Sequence, residues 1–508
     1  MVQPSPEDGF RSPAETLLDA LGRHPDRVVL VYGERRVTAR ELRGLTFRAA
    51  RVLASRGVHR GDTVTLLTGN APEGLAVTYA ADLLGCRVAA LYEDMAARAQ
   101  GTVVRDVETR ALVVAPHLIA PAVRRHVLPH AEEVYVLGPD RAEKDLLALA
   151  ADHSAAPLPG RARPEDIRAI QHTGGTTGHP KGVCLSFGRP RSFPLPRPVE
   201  PHRLLVSTPL AHLAGMAANT VLAHGGQVVL HDGFDPAAVL RAVADHRITL
   251  LFLLPPQLHQ LTDHPDAART DTSSLRVLMY SGCTAAPTRI ADAVRRFGPV
   301  LVQNYGQNEA GALTVLTSAD HDPARPERLG TVGTPLPGVQ LSIRDGDDRE
   351  VPTGRRGEVC VRTPSLMEGY WKRPELTAQV LRDGWLHTGD LGFVDDSGYL
   401  TITGRLKDMI VVVGGHVYPA ELEHLLDSHP RVLHSTVVGV PGTDRTEHVH
   451  AFVVPAPGGV SEAELRTLVR DTYGAMYVPA RVHLVPTIPR TAVGKPDTDA
   501  LRRQASVS

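Results

Sequence analysis

Lysine is nearly missing from this sequence. Of 55 Lys and Arg residues, only five are lysines: Lys144, Lys181, Lys372, Lys407 and Lys495. Where any cation will serve, the chain uses arginine. A retained lysine therefore marks a place that needs a compact ammonium on a flexible stem. Chance accounts for Lys144 and Lys372; Lys181, Lys407 and Lys495 stand apart because they fall in glycine-rich segments. Cysteine is scarce too. Cys86, Cys184, Cys283 and Cys360 are scattered without a CxxC pair. That excludes a disulfide frame and a zinc cluster, and reads as reduced thiols in a cytoplasmic protein. A formal net charge of −1 excludes any broad pull toward nucleic acid or an anionic membrane. The longest apolar run, ITLLFLLPP at 248–256, is too short to span a bilayer. The start, MVQPSPEDGFRSP, lacks a basic-then-apolar signal pattern. Repeats and heptads are absent as well.

What is there reads as a globular chain of several domains, with 508 residues, 42% hydrophobic and 22% charged. Over the first 300 residues, short apolar runs such as DTVTLLTG (62–69), RLLVSTPL (203–210) and LRVLMYSG (275–282) alternate with helical stretches. That alternation predicts an α/β body of mostly parallel, helix-covered sheets. After about residue 330, VQLSIRD, GEVCVRT and GYLTITG predict a smaller antiparallel or barrel-like part. The last hundred residues carry their own strand–helix–strand pattern, a small α+β domain. The expected join lies at GRLKD, giving a body over 1–404 and a C-terminal domain over 405–508. GRPRSFPLPRPVEP (188–201) reads as an exposed Pro/Arg-rich loop.

The densest chemistry sits in HTGGTTGHPKGV, 172–183. Small residues from Thr173 to Gly178 let backbone N–H groups close around phosphate oxygens. The loop is not of the Walker type. Lys181 follows Pro180 and precedes Gly182, so no hydroxyl follows the lysine to hold magnesium. Thr173, Thr176 and Thr177 supply donors without fixed charge, which suits a polyphosphate that must leave again. Alone, such a loop is also compatible with a plain surface turn.

Its company decides the matter. TGGTTGHPKG resembles the signature loop of the adenylate-forming superfamily of acyl-CoA synthetases, luciferases and peptide-synthetase adenylation domains. Four further segments resemble that family's pattern in the same order: NYGQNEAG (304–311), WLHTGDLG (385–392), GRLKDMIVVVGGHVYPAELE (404–423) and PRTAVGKPD (489–497). The resemblance runs from about residue 15 to 503.

The resemblance implies ATP-dependent activation of a carboxylic acid as an acyl-adenylate, with pyrophosphate released. It places Thr173, Gly174, Gly175, Thr176, Thr177, Gly178 and Lys181 on the phosphates. Glu309, with Thr176, would hold Mg2+, a hard cation that takes oxygen ligands. Tyr305 would stack on adenine, with Asn304, Gly306 and Asn308 beside it and Gly282, Cys283 and Thr284 closing the other side. Asp390 would accept from the ribose hydroxyls and Arg405 would donate nearby. Lys495 is the implied catalytic cation, carried on a small mobile domain that rotates about Lys407; Lys181 and Glu309 complete the catalytic set.

The acid pocket is implied around His212, Gly215, Met216, Tyr280 and Gly306. Peptide-synthetase relatives carry an aspartate near His212, so an aryl or alkyl acid is expected in place of an α-amino acid. CoA is the expected acceptor. A carrier-protein thiol supplied in trans, an amine, or activation of a small oxyanion such as nitrite stay open, as does a non-catalytic nucleotide-binding homologue. Three departures bear on this. Asn308 stands where threonine is usual, Val411 where lysine is usual, and Pro496-Asp497 follows Lys495. Expected partners are a small-molecule acid, with no nucleic acid or membrane, and a monomer or homodimer.

Overall fold

The computed structural model describes residues 10–173, 181–189, 191, 200–283, 285–412, 415–441, 447–491 and 494–507. Two large sheets form the body. In the first, of nine strands, Val28–Tyr32, Gln227–Leu230, Arg203–Val206, Leu250–Leu253, Val277–Tyr280 and Leu301–Gln307 lie side by side and parallel. Antiparallel strands close both edges, with Gly311–Leu316 pairing back onto Leu301–Gln307. In the second, of eight strands, the parallel centre ends in the antiparallel pair Ile167–Thr173 and Lys181–Ser186. The glycine-rich segment therefore joins two antiparallel strands, whereas a Walker loop joins a strand to a helix.

Helix Pro72–Leu83 shows why the sheets stack as they do. Its residues Leu75, Ala76, Tyr79 and Leu83 pack on the first sheet's core, while Val77, Ala80 and Ala81 pack on the second's. A helix apolar all round must be covered all round. Asp82 is its buried polar exception, paired with Arg168 at 2.9 Å. Ser12–Glu15 and Thr38–Glu41 form capping boxes that start two neighbouring helices.

The smaller part is a five-stranded antiparallel sheet built around Trp385–Val394, which pairs with Gly357–Arg362 and Leu400–Arg405. Beyond Arg405 come the two-stranded pair Ile410–Val412 and Gly415–Val417, helix Pro419–Asp427, and a three-stranded sheet of Val432–Pro441, Glu447–Pro455 and Arg481–Leu484. That C-terminal unit has its own core, with Leu422, Leu426, Val437, Ala451 and Leu465 buried. Arg356 ties it to the body through an ion pair with Glu421 and by lying 4.8 Å over the Tyr418 ring. Among the described residues, no helix is long and apolar enough to cross a membrane. All four cysteines are unpaired.

Candidate active site

The carboxyl ends of parallel strands are where α/β sheets expose backbone and side chains to a ligand; of the sequence-predicted residues, His212, Cys283 and Tyr305 lie at or past such ends, and Asp390 and Arg405 come from the antiparallel sheet. Asp390 is at the centre. It is buried, and its Oδ2 accepts from the Tyr305 hydroxyl and from Gln307 Nε2, both at 2.6 Å. Its Oδ1 takes Arg405 Nε at 2.8 Å, across the strand register that sets Asp390 opposite Arg405. Burial, with Asp390 alongside, pushes the Tyr305 hydroxyl well above its usual range, so it stays a donor. Gly306 is required next to it. A Cβ there would lie 2.2 Å from the Gly311 carbonyl oxygen, because the ladder bulges between Tyr305 and Gly306. Asn304 is buried and donates to the Thr314 carbonyl, which leaves its Oδ1 without a hydrogen bond.

A second cluster lies at the start of the strand Lys181–Ser186. Lys181 Nζ sits 5.4 Å over the Tyr370 ring, and the Tyr370 hydroxyl donates to Glu309 Oε1 at 2.8 Å. The Glu309 carbonyl accepts from Met367 N at 2.7 Å. Glu309 Oε1 is thus fixed by Tyr370. The carboxylate is a hard oxygen donor oriented by the Tyr370 phenol, a fit for one inner ligand of Mg2+.

Lys495 comes from the C-terminal unit. Its turn is closed by Thr491 N donating to the Lys495 carbonyl and Gly494 N to the Thr491 carbonyl, both at 2.8 Å. Gly494 has φ +77 and packs so close to Leu254 that a Cβ would sit 2.8 Å from it. Gly282, φ +100, abuts the same leucine. The Lys495 side chain keeps solvent access while protein atoms crowd around it. Desolvation, then repulsion from Arg405 and Lys407, pulls its ammonium below the ordinary lysine value against attraction from Cys283 and Asp390. Cys283, half-buried, is pushed up to about 11 by burial. Four groups from three stretches of the chain thus act on one ammonium.

His212 also feels Lys495. Burial, helped by that charge, lowers it to about 4, so it is neutral. Its ring stacks on Tyr92 at 4.3 Å, and Nδ1 lies 3.2 Å from the Tyr92 hydroxyl. Gly215 lets the following helix approach: a Cβ there would be 2.1 Å from the Leu210 carbonyl oxygen. Met216 packs partly buried on the same layer.

Tyr280 is a correction. Alternation along Val277–Tyr280 puts Val277 and Met279 on the face carrying the His212 helix, and Leu278 and Tyr280 on the opposite face. Tyr280 is 1% exposed, with its hydroxyl 3.0 Å from His321 Nε2. It packs the core and does not line the pocket beside His212. Of the segment 188–201, read as exposed, Gly188, Glu200 and Pro201 are exposed, while Arg189 pairs with Glu368 at 2.5 Å and Arg191 is partly buried against Asn308 and Ser365; the rest lies outside the described residues.

Gly174, Gly175, Thr176, Thr177, Gly178 and Thr284 lie outside the described residues, as do the side chains of Thr173 and Val411. Sequence reasoning missed Tyr92, Gln307, Tyr370 and Arg191. Tyr92 and Gln307 had a signal, one standing just past a parallel strand and the other inside a quoted motif. Tyr370 and Arg191 had none.

Residues 17–371 match the family of AMP-binding enzymes, and 421–495 match the AMP-binding enzyme C-terminal domain. A medium/long-chain-fatty-acid–CoA ligase of Mycobacterium tuberculosis is 35% identical over 97% of this chain and 90% of its own length. A feruloyl-CoA synthase of an Amycolatopsis species is 34% identical over 94% and 96%. Among solved structures, the amide bond synthetase McbA of Marinactinospora thermotolerans superposes with a TM-score of 0.87. It is 38% identical over 97% of this chain and all 100% of that one.

Proposed function

For a chain that belongs to the adenylate-forming family of AMP-binding enzymes, and is thereby an AMP-forming ligase, we propose activation of an aryl or alkyl carboxylic acid, followed by transfer to CoA. The observation that carries the first step is Lys495, a cation from the C-terminal unit set among Arg405, Asp390, Cys283 and His212. A carboxylate oxygen attacks the α-phosphorus of ATP, the bond to the β-phosphate oxygen breaks, and pyrophosphate leaves. Charge is redistributed over attacking, transferring and leaving oxygens, so positioned cations supply most of the stabilisation.

Lys495 bridges carboxylate and α-phosphate; its flexible stem can follow charge as it moves. Asp390 holds the ribose, Tyr305 faces the base, and Lys181 holds the β- and γ-phosphates. Mg2+ on Glu309 would neutralise the pyrophosphate. His212 and Met216 line the acid pocket, where a neutral imidazole offers no counter-charge to an α-ammonium; this supports an acid without an α-amino group. The CoA thiol then attacks the acyl carbonyl and AMP departs, with the unit after Arg405 rotating about Lys407 between the steps. Four unpaired cysteines support a cytoplasmic setting.

A second reading keeps the adenylate and gives it to an amine. It is favoured by the full-length likeness to an amide bond synthetase and by Val411 and Pro496, which depart from the usual family residues. Pyrophosphate release across an acid panel, then mass spectrometry with CoA, amines or nitrite present, separates the products. An acyl-CoA supports the first reading, an amide the second, and no acid-dependent pyrophosphate release rejects both.

A further inference from the structure

The Pro/Arg-rich segment after Ser186 has no place in the mechanism above, yet it sends Arg191 to the back of the Glu309 turn. Arg191 Nη1 donates to the Asn308 carbonyl at 2.8 Å and Nη2 to the Ser365 carbonyl at 2.7 Å. Asn308 precedes Glu309; two residues beyond Ser365, Met367 N donates to the Glu309 carbonyl. With the Tyr370 hydroxyl on Oε1, the Glu309 region is held at three points: the preceding carbonyl, its own carbonyl and its carboxylate. A planar guanidinium meets the two carbonyls with two donors in a fixed fork; a lysine ammonium offers no such fixed geometry.

Arg191 also carries an uncompensated charge. Its Nε is sealed from water without a hydrogen-bond partner, and no carboxylate among the described residues lies within ion-pair distance of it. Its charged neighbours Arg189 and Arg168 are committed to Glu368 and Asp82, and among the described residues only Glu309 attracts it. Burial lowers Arg191 to about 10, so it remains charged at neutral pH. Desolvating a guanidinium without an ion-pair partner is costly; the cost is offset where an anion arrives.

We propose that Arg191 is a positioning residue for the pyrophosphate half of the site. It braces the Asn308–Glu309 turn and sets a fixed positive charge behind the place where the leaving group forms. This inference rests on the nucleotide-site reading above.

The test uses the full-length protein and calorimetric titration with two probes, inorganic pyrophosphate with Mg2+, and AMP. Wild type should bind both. Arg191→Met should weaken pyrophosphate binding by about 10-fold to 100-fold, the scale of lost charge-assisted contacts, and leave AMP binding within twofold. Arg191→Lys keeps the charge without the fork and should fall between. Unchanged pyrophosphate affinity in Arg191→Met, or an equal loss of both probes from a general structural defect, overturns the proposal. Should Arg191→Met fail to fold, Arg191→Lys decides: wild-type pyrophosphate affinity in that variant refutes the brace. A wild type that binds AMP without pyrophosphate sinks the inference alone; one that binds neither sinks the reading beneath it.

Discussion

Asp390→Asn tests the nucleotide site at its most connected residue. The carboxylate has about four acceptor positions, and three are taken by Tyr305, Gln307 and Arg405. A ribose with two hydroxyls therefore has to share or displace a contact. An amide cannot reproduce the set. With its oxygen toward Tyr305 and Gln307, its NH2 faces the Arg405 guanidinium, donor to donor; flipped, it faces the Gln307 amide. Either way a donor loses its acceptor, at about 1–3 kcal/mol. Loss of the ion pair adds only about 0–1 kcal/mol, since the Arg405 side chain is 46% exposed. Ribose bonds that pass from a charged to a neutral acceptor weaken by about 1–2 kcal/mol in total. KM for ATP should then rise about 5-fold to 30-fold with kcat within about threefold. The assay is acid-dependent pyrophosphate release at varied ATP and at varied 2′-deoxy-ATP. Wild type should discriminate against the deoxy substrate, and Asp390→Asn should discriminate much less, because both changes remove the same contact. Equal discrimination by the two proteins, with matched melting temperatures, refutes the ribose role.

Further outcomes follow from other parts of the site. Lys495→Ala should cut acid-dependent pyrophosphate release by about 100-fold or more while ATP still binds in calorimetry; undiminished release would remove the mechanism. Because the Lys495 ammonium is held below its ordinary value, the alkaline limb of pyrophosphate release should begin below the pH at which a free lysine titrates. A pH–rate profile without that limb argues against a required ammonium. Glu309→Gln should raise the Mg2+ concentration for half-maximal rate, and an unaltered Mg2+ titration would reject that ligand assignment. Glu423 is pushed up to about 7, first by burial and then by Asp427 and Asp408 nearby, against a bond from Val437 N and the pull of His434. A folded state that binds this proton more tightly than the unfolded one loses stability as pH rises from about 4.5 to 7. Glu423→Gln should therefore stabilise the protein by about 1–3 kcal/mol at pH 8 and by far less at pH 4.5; melting curves showing the same shift at both pH values would contradict this.

Five ordered motifs and the switch of texture near residue 330 were legible without coordinates, because they depend on near neighbours in the chain. A parallel strand announces itself by a short apolar run, and a phosphate loop by small residues beside a lysine. Strand Thr63–Leu67 falls inside the stretch read as DTVTLLTG. The antiparallel setting of the glycine-rich segment was not legible, since strand pairing is chosen by what lies across the sheet.

The chain's own order of residues thus determined the family, the sheet-and-helix body and the segments that carry chemistry. Tertiary structure alone decided which side chains meet. It put Tyr280 on the far face from His212, stacked Tyr92 on His212 across 120 positions of sequence, brought Lys495 within electrostatic reach of Asp390, and docked Arg191 on the carbonyl that precedes Glu309. Local pattern fixes a residue's backbone state and the face it shows; the partner on that face is selected by packing and by the cost of leaving a buried charge or donor alone.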